Sequence, residues 1–191
     1  MGFRFETPPS DNFQQVVFSV GRKNRRRRIN LSENIEIIPK FCFHLCISLV
    51  DINTENIFQI FSNAFSSANA CNINLDNINF IERDAFNNSK IKKINLLKLT
   101  NAGEGVFAEC HELEYVNIKG AITEIPATMF FSCEKLKEVK LHNEIHKIGQ
   151  HAFTFCKELE HINLENVKII EDFAFTETKF KNNQLEYEEE R

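Results

Sequence analysis

Pairs of branched aliphatic residues three positions apart punctuate the chain: Ile35 and Ile38, Ile57 and Ile60, Ile78 and Ile81, Ile122 and Ile125, Ile145 and Ile148, Val167 and Ile170. Five positions after each pair stands a phenylalanine, and with Phe107 these form a series of seven: Phe43, Phe65, Phe86, Phe107, Phe130, Phe153 and Phe175. Successive members lie 21 to 23 residues apart, and Leu99 and Ala102 fill the aliphatic slots before Phe107 weakly. Three positions after each phenylalanine comes a compact residue: Cys46, Ala68, Ser89, Cys110, Cys133, Cys156 and Thr178. An aliphatic follows shortly, as at Leu49, Ile91, Leu113, Leu136 and Leu159. A fixed period of this length marks stacked units that cannot bury their apolar faces alone, so the pattern predicts a solenoid with one elongated core.

Each unit closes on a short alternation of apolar and polar residues: Ile29-Asn30-Leu31, Ile52-Asn53-Thr54, Ile73-Asn74-Leu75, Ile94-Asn95-Leu96, Val116-Asn117-Ile118, Val139-Lys140-Leu141 and Ile162-Asn163-Leu164. Period two is the signature of a strand with one face buried. The return path between copies is short, so consecutive strands must run parallel, side by side at roughly 4.8 Å, in one continuous ribbon. Asn34, Asn56, Asn77 and Asn166 stand between strand and aliphatic pair as corner residues, because asparagine bonds its own backbone and tolerates left-handed geometry. The stretch before each phenylalanine is too short for a full helix and predicts a single helical or 3₁₀ turn. The phenylalanine then plugs the space between turn and sheet.

The combined pattern, Ile145-x-x-Ile148-Gly149-x-x-Ala152-Phe153-x-x-Cys156-x-x-Leu159-x-x-Ile162-x-Leu164, resembles the BspA-type leucine-rich repeat over residues 29–178. The resemblance implies a leucine-rich-repeat solenoid, with a short parallel β-sheet on the concave side and short helical or 3₁₀ turns and extended segments on the convex side. It also implies a non-enzymatic binding scaffold of surface or adhesion type. Two departures from the pattern are visible. The copies at Phe65 and Phe86 are shortened before the strand, and the unit leading to Phe107 replaces its isoleucines around Gly103 and Gly105, so irregularity of the arc is expected there.

With 191 residues and 42% apolar content the chain is expected to be one domain. Residues 1–28 are read as a leader, with residues 13–20 as an N-terminal cap and a basic run at 22–28. Residues 179–191 are read as an acidic tail that keeps the solenoid edge soluble. A net charge of −4 disfavours nucleic acid as a partner, and no run of residues is apolar enough for a transmembrane segment. Residues 1–12 lack the apolar core of a secretory leader, so localisation stays open: cytoplasmic or nuclear on that ground, cell surface by resemblance. The basic run can be a nuclear address, a phosphate-binding patch or a solvated flank.

No phosphate-cradling glycine loop, nucleophile elbow or zinc-binding helix motif occurs, so no catalytic residue, cofactor or metal is assigned. His44, between Cys42 and Cys46, is expected to point outward while both cysteines point inward, and His142 and His146 to diverge. The cysteine column reads as packing, with a Cys110, Cys133, Cys156 disulfide as the lesser alternative.

Outward strand positions supply the candidate binding face. One column gives Asn53, Asn74, Asn95, Asn117, Lys140 and Asn163; the column before it gives Lys93, Tyr115, Glu138 and His161. Stacked amides either stiffen the sheet by bonding one another or offer themselves to a ligand. The mixed polar face around Tyr115 suits a protein or peptide ligand better than a small-molecule substrate. Two functions remain: a surface or adhesion-type scaffold, and an intracellular, nuclear-directed scaffold or regulator using the same face.

Overall fold

The computed structural model describes residues 27–181. In chain order, β1 (Arg27–Ile29) and β2 (Ile37–Ile38) form the first layer, β3 (Leu49–Ile52) and β4 (Gln59–Ile60) the second, β5 (Asn72–Ile73) and β6 (Phe80–Ile81) the third. The fourth layer holds β7 (Lys93–Leu96) and β8 (Asn101–Ala102), the fifth β9 (Tyr115–Ile118) and β10 (Glu124–Ile125). The sixth holds β11 (Glu138–Lys140) and β12 (Lys147–Ile148), the seventh β13 (His161–Ile162) and β14 (Ile169–Ile170). All pairings are parallel and join a strand to its counterpart in the neighbouring layer. The odd-numbered strands carry the alternating triplets as expected: Ile29, Ile52 and Ile73 share one inward column, as do Ile94, Val116, Val139 and Ile162. Within β7 burial strictly alternates, with Ile94 and Leu96 inside and Lys93 and Asn95 outside.

Two features differ from the sequence expectation. The strand face is two sheets instead of one ribbon, ordered β1-β3-β5 and β7-β9-β11-β13. The division falls between the two shortened copies, where phenylalanine and strand isoleucine (Phe65 to Ile73, Phe86 to Ile94) are eight residues apart instead of nine. The aliphatic pairs, moreover, form a second parallel ladder, β2-β4-β6-β8 and β10-β12-β14, whose interruption follows Ala102 in the expected irregular unit.

A third difference concerns the turns around each phenylalanine. Among the described residues there is no helical or 3₁₀ turn. Each repeat phenylalanine is instead flanked, two positions before and two after, by left-handed residues: Phe41 and Leu45, Asn63 and Ser67, Asp84 and Asn88, Gly105 and Glu109, Thr128 and Ser132, His151 and Phe155, Phe173 and Glu177. Backbone N–H groups then alternate in use. In the first layer those of Phe41, Phe43 and Leu45 donate to Ser62, Ala64 and Ser66 of the next layer, while those of Cys42, His44 and Cys46 close local turns on Pro39, Phe41 and Phe43. A right-handed run cannot persist through a left-handed residue at every fourth position, and half the donors are committed to the neighbouring layer. The corner asparagines sit in turns as expected, but the left-handed positions lie elsewhere.

The seven repeat phenylalanines are all buried, and each ring stacks on the next at 5.0 to 5.7 Å between centroids. This offset stacking adds to the burial term. Cys110, Cys133 and Cys156 are buried beside the rings as thiols, and their Sγ atoms donate to the carbonyls of Phe86, Phe107 and Phe130 at 3.1 Å. Where Gly149 stands, a Cβ would lie 2.6 Å from Ala127 N, so only glycine admits this spacing of layers.

Candidate binding face

The strand register places the proposed face residues in two adjacent rows. Lys93, Tyr115, Glu138 and His161 are consecutive partners, and Asn95, Asn117 and Lys140 form the row beside them. Asn53, Asn74 and Asn163 stand one residue beyond the ends of β3, β5 and β13 and extend the second row. The sheet division separates Asn53 and Asn74 from the rest.

The amides do not form a uniform ladder. Asn53 accepts from Leu31 N–H at 2.6 Å and donates to Leu31 O at 3.2 Å. Asn163 does the same to Leu141, at 2.9 and 3.0 Å. Each side chain thereby replaces a missing strand residue, and both ends of its amide are committed. Asn117 donates to Asn95 Oδ1 at 3.2 Å, and Asn74 accepts from Asp76 N–H within its own turn. Those bonds stiffen the row, and Asn95 remains exposed at its edge.

Tyr115, Glu138 and Lys140 form a cluster in which aromatic, acidic and basic groups meet on this face. The Lys140 ammonium lies 5.6 Å from the centre of the Tyr115 ring and 3.3 Å from the Glu138 carboxylate. The hydrogen bond with Glu138, then its charge and that of Tyr115, raise the Lys140 pKa above its ordinary value. The cluster borders an open trough of about 690 Å³ lined by Lys119, Glu138, Lys140, His142, Glu160, His161 and Asn163 among others. A second trough of about 560 Å³ opens at the sheet division between Asn72, Asn74, Lys93 and Asn95. Both are open, with polar side chains set among strand aliphatics such as Val139 and Ile162 in the first and Ile73 and Leu75 in the second, a shape that fits a partner surface or an extended peptide.

The histidines fall differently from expectation in one case. His44 is half-buried, with Nδ1 enclosed and without a hydrogen-bond partner and the ring 5.8 Å from Phe41, so it does not point freely outward. His142 bonds Ile122 O through Nε2 at 2.8 Å and accepts from Glu144 N–H through Nδ1, while His146 lies against Glu144 O. Sequence reasoning missed a staircase of ion pairs between layers: Lys135 with Glu112, Lys157 with Glu134, Lys179 with Glu158. The signal was available, because Lys135, Lys157 and Lys179 recur four or five places after their phenylalanines.

Of the basic run, Arg27 and Arg28 belong to β1, and Arg28 meets Asp51 at 3.4 Å. Residues 22–26, the expected cap at 13–20 and most of the acidic tail lie outside the described residues. Lys147 bridges Glu124 and Glu171 across three layers at 3.5 and 2.8 Å. Among the described residues no helix is long and apolar enough to cross a membrane.

The repeat geometry accords with comparison to known proteins. The family model for the BspA type leucine rich repeat region matches residues 17–101 and 79–189, with six copies. The chain belongs to that family. Among solved structures, a leucine-rich repeat protein from Bacteroides ovatus superposes with a TM-score of 0.64 at 24% identity, covering 79% of this chain and 44% of that one. One from Eubacterium ventriosum gives 0.54 at 15% identity, covering 76% and 59%. The leucine-rich repeat protein of T. pallidum gives 0.53 at 16%, covering 82% and 80%. This BspA-type chain thus spans under half the length of the Bacteroides ovatus protein. These likenesses concern the fold. No curated protein matches the chain.

Proposed function

We propose that this BspA-type repeat protein is a non-catalytic scaffold that binds a protein or peptide ligand through the odd-strand face, in a surface or adhesion-type role. The observation that carries the reading is the Tyr115, Glu138, Lys140 cluster beside the larger trough. Tyrosine is among the commonest interface anchors, and an aromatic already held by its cation is ordered before a ligand arrives. Lys93, Asn95 and His161 flank it as exposed polar contacts. Asn53 and Asn163 serve the face indirectly by closing its strand ends.

A cross-linked pull-down from the source cells tests the site. The Tyr115→Ala, Lys140→Glu double variant should lose partners that wild type and Lys135→Ala both retain, since Lys135 pairs with Glu112 away from this face. Equal recovery by all three rejects the site. Antibody staining of intact against permeabilised cells tests the surface role: signal only after permeabilisation transfers the same face to an intracellular scaffold.

A further inference from the structure

Each described layer is joined to the next by backbone hydrogen bonds on three sides of the coil, along the odd strands, the even strands and the phenylalanine turns, with two exceptions. Both involve the fourth layer. On the odd-strand side no backbone bond links residues 70–77 to residues 91–98. The layers meet again at either end of this slit, where Lys90 N–H donates to Ala68 O at 3.2 Å and Thr100 N–H to Asn79 O at 2.9 Å; Lys98 Nζ bonds Asn77 Oδ1 at its corner. Lys92 and Leu96 turn their carbonyls to the fifth layer, accepting from Glu114 and from Lys119 and Gly120. Backbone direction alternates along a strand, so Lys93 and Asn95 turn their N–H and C=O groups into the slit, beside the trough of about 560 Å³.

On the even-strand side no backbone bond links residues 97–104 to residues 121–126. The sequence supplies a reason. The residue after each even strand donates to the even strand of the preceding layer: Phe61 to Ile38, Glu82 to Ile60, Gly103 to Ile81, Gly149 to Ile125 and Glu171 to Ile148. In the fifth layer that residue is Pro126, which has no N–H to offer Ala102 O. The fourth layer is thus held to the third through β6 and β8 and to the fifth through β7 and β9. The turns run past both slits unbroken, with Phe86 N–H donating to Val106 O and Phe107 N–H to Met129 O, each at 2.9 Å. The Phe107 and Phe130 rings, in the layers either side of the second slit, are the most widely spaced of the stack at 5.7 Å.

We propose that the fourth layer is a joint between two stiffer blocks, layers one to three and layers five to seven. Layers bonded on three sides resist bending in every direction, whereas layers released on one side open there and pivot on the other two. The first slit opens on the odd-strand side, pivoting on β6, β8 and the turns. The second opens on the even-strand side, pivoting on β7, β9 and the turns. The coil therefore bends at one place, about two axes, and the trough at the sheet division widens and narrows with it. Solvent already reaches Lys93 and Asn95, both exposed, so opening the first slit breaks no ladder bond. The joint belongs to the coil itself and stands whether or not the odd-strand face is where a partner binds.

Nitrogen-15 relaxation dispersion on the full chain, which reads motion on the microsecond to millisecond scale, tests the joint. Wild type should show dispersion gathered at residues 70–77, 91–98, 100–104 and 121–126, with flat profiles in β11 and β12. Pro126→Ala returns a donor to Ala102 O and should abolish dispersion at the second slit while leaving the first unchanged. Asn72 and Lys93 each precede an inward isoleucine, so Asn72→His, Lys93→His sets two imidazoles in one row across the first slit. Zinc should bridge them and abolish dispersion there, a chelator should restore it, and wild type should not respond to the metal. Flat profiles at both slits in wild type overturn the proposal, as does dispersion spread evenly over all layers. Dispersion that survives both the restored donor and the zinc clamp overturns it equally.

Discussion

At the residue scale, each phenylalanine inside the series is held by its neighbours' rings above and below and by the left-handed residues on either side. Phe130 has no exposed surface, and its ring lies 5.7 and 5.3 Å from Phe107 and Phe153. Phe130→Ala should therefore lower unfolding stability by about 3–5 kcal/mol, read from urea denaturation, because a cavity opens in mid-stack. Left-handed positions predict the opposite sign. Glu109 is exposed with φ of 60°, and Asn88 occupies the same place one layer earlier. Asparagine tolerates this region better than glutamate, so Glu109→Asn should raise stability by up to about 1 kcal/mol in the same assay. No gain would mean that the Glu109 side chain compensates for its strained backbone.

At the element scale, the fold depends on how closely one layer approaches the next. Gly149 N–H donates to Ile125 O at 2.8 Å, and a Cβ there would lie 2.6 Å from Ala127 N and 2.8 Å from that same oxygen. The conflict is with backbone, which cannot swing aside, so Gly149→Ala should part β10 from β12 and destabilise by about 1–3 kcal/mol or more. Amide exchange at Lys147 and Ile148, the β10 partners, should accelerate locally. Strand positions and inward columns were legible in the sequence because period two and a fixed repeat length both act locally. The second ladder was not, since two-residue strands leave no alternation to read, and an isoleucine pair looks the same in a turn as in a bridge. The left-handed positions were hidden for another reason: Phe41, Leu45, Phe155 and Phe173 are residue types that rarely adopt them. On the binding face the rows were legible and the use of the amides was not, because whether Asn53 meets solvent or Leu31 depends on where β1 ends.

At the scale of the whole molecule, the buried thiols link stability to pH. Burial is the main cause that pushes Cys110 from 9.0 up to about 11 and Cys42 to about 12, and it raises Cys133 and Cys156 as well. A raised thiol pKa means that the folded chain keeps protons which the unfolded chain releases. The resulting stability is fully present below the unfolded value near 9.0 and is lost as pH rises through the folded values. The urea midpoint should thus stay flat on the thiols' account up to about 9.0 and fall above it, the Cys110 share between there and about 11 and the Cys42 share up to about 12. Replacing Cys110 by serine, the residue that Ser89 already supplies in that column, should flatten this alkaline decline. At neutral pH, alkylation of Cys110, Cys133 and Cys156 should require opening of the stack, so its rate should track urea-induced unfolding. Rapid labelling in the native state would mean that the layers separate far more readily than seven stacked rings permit.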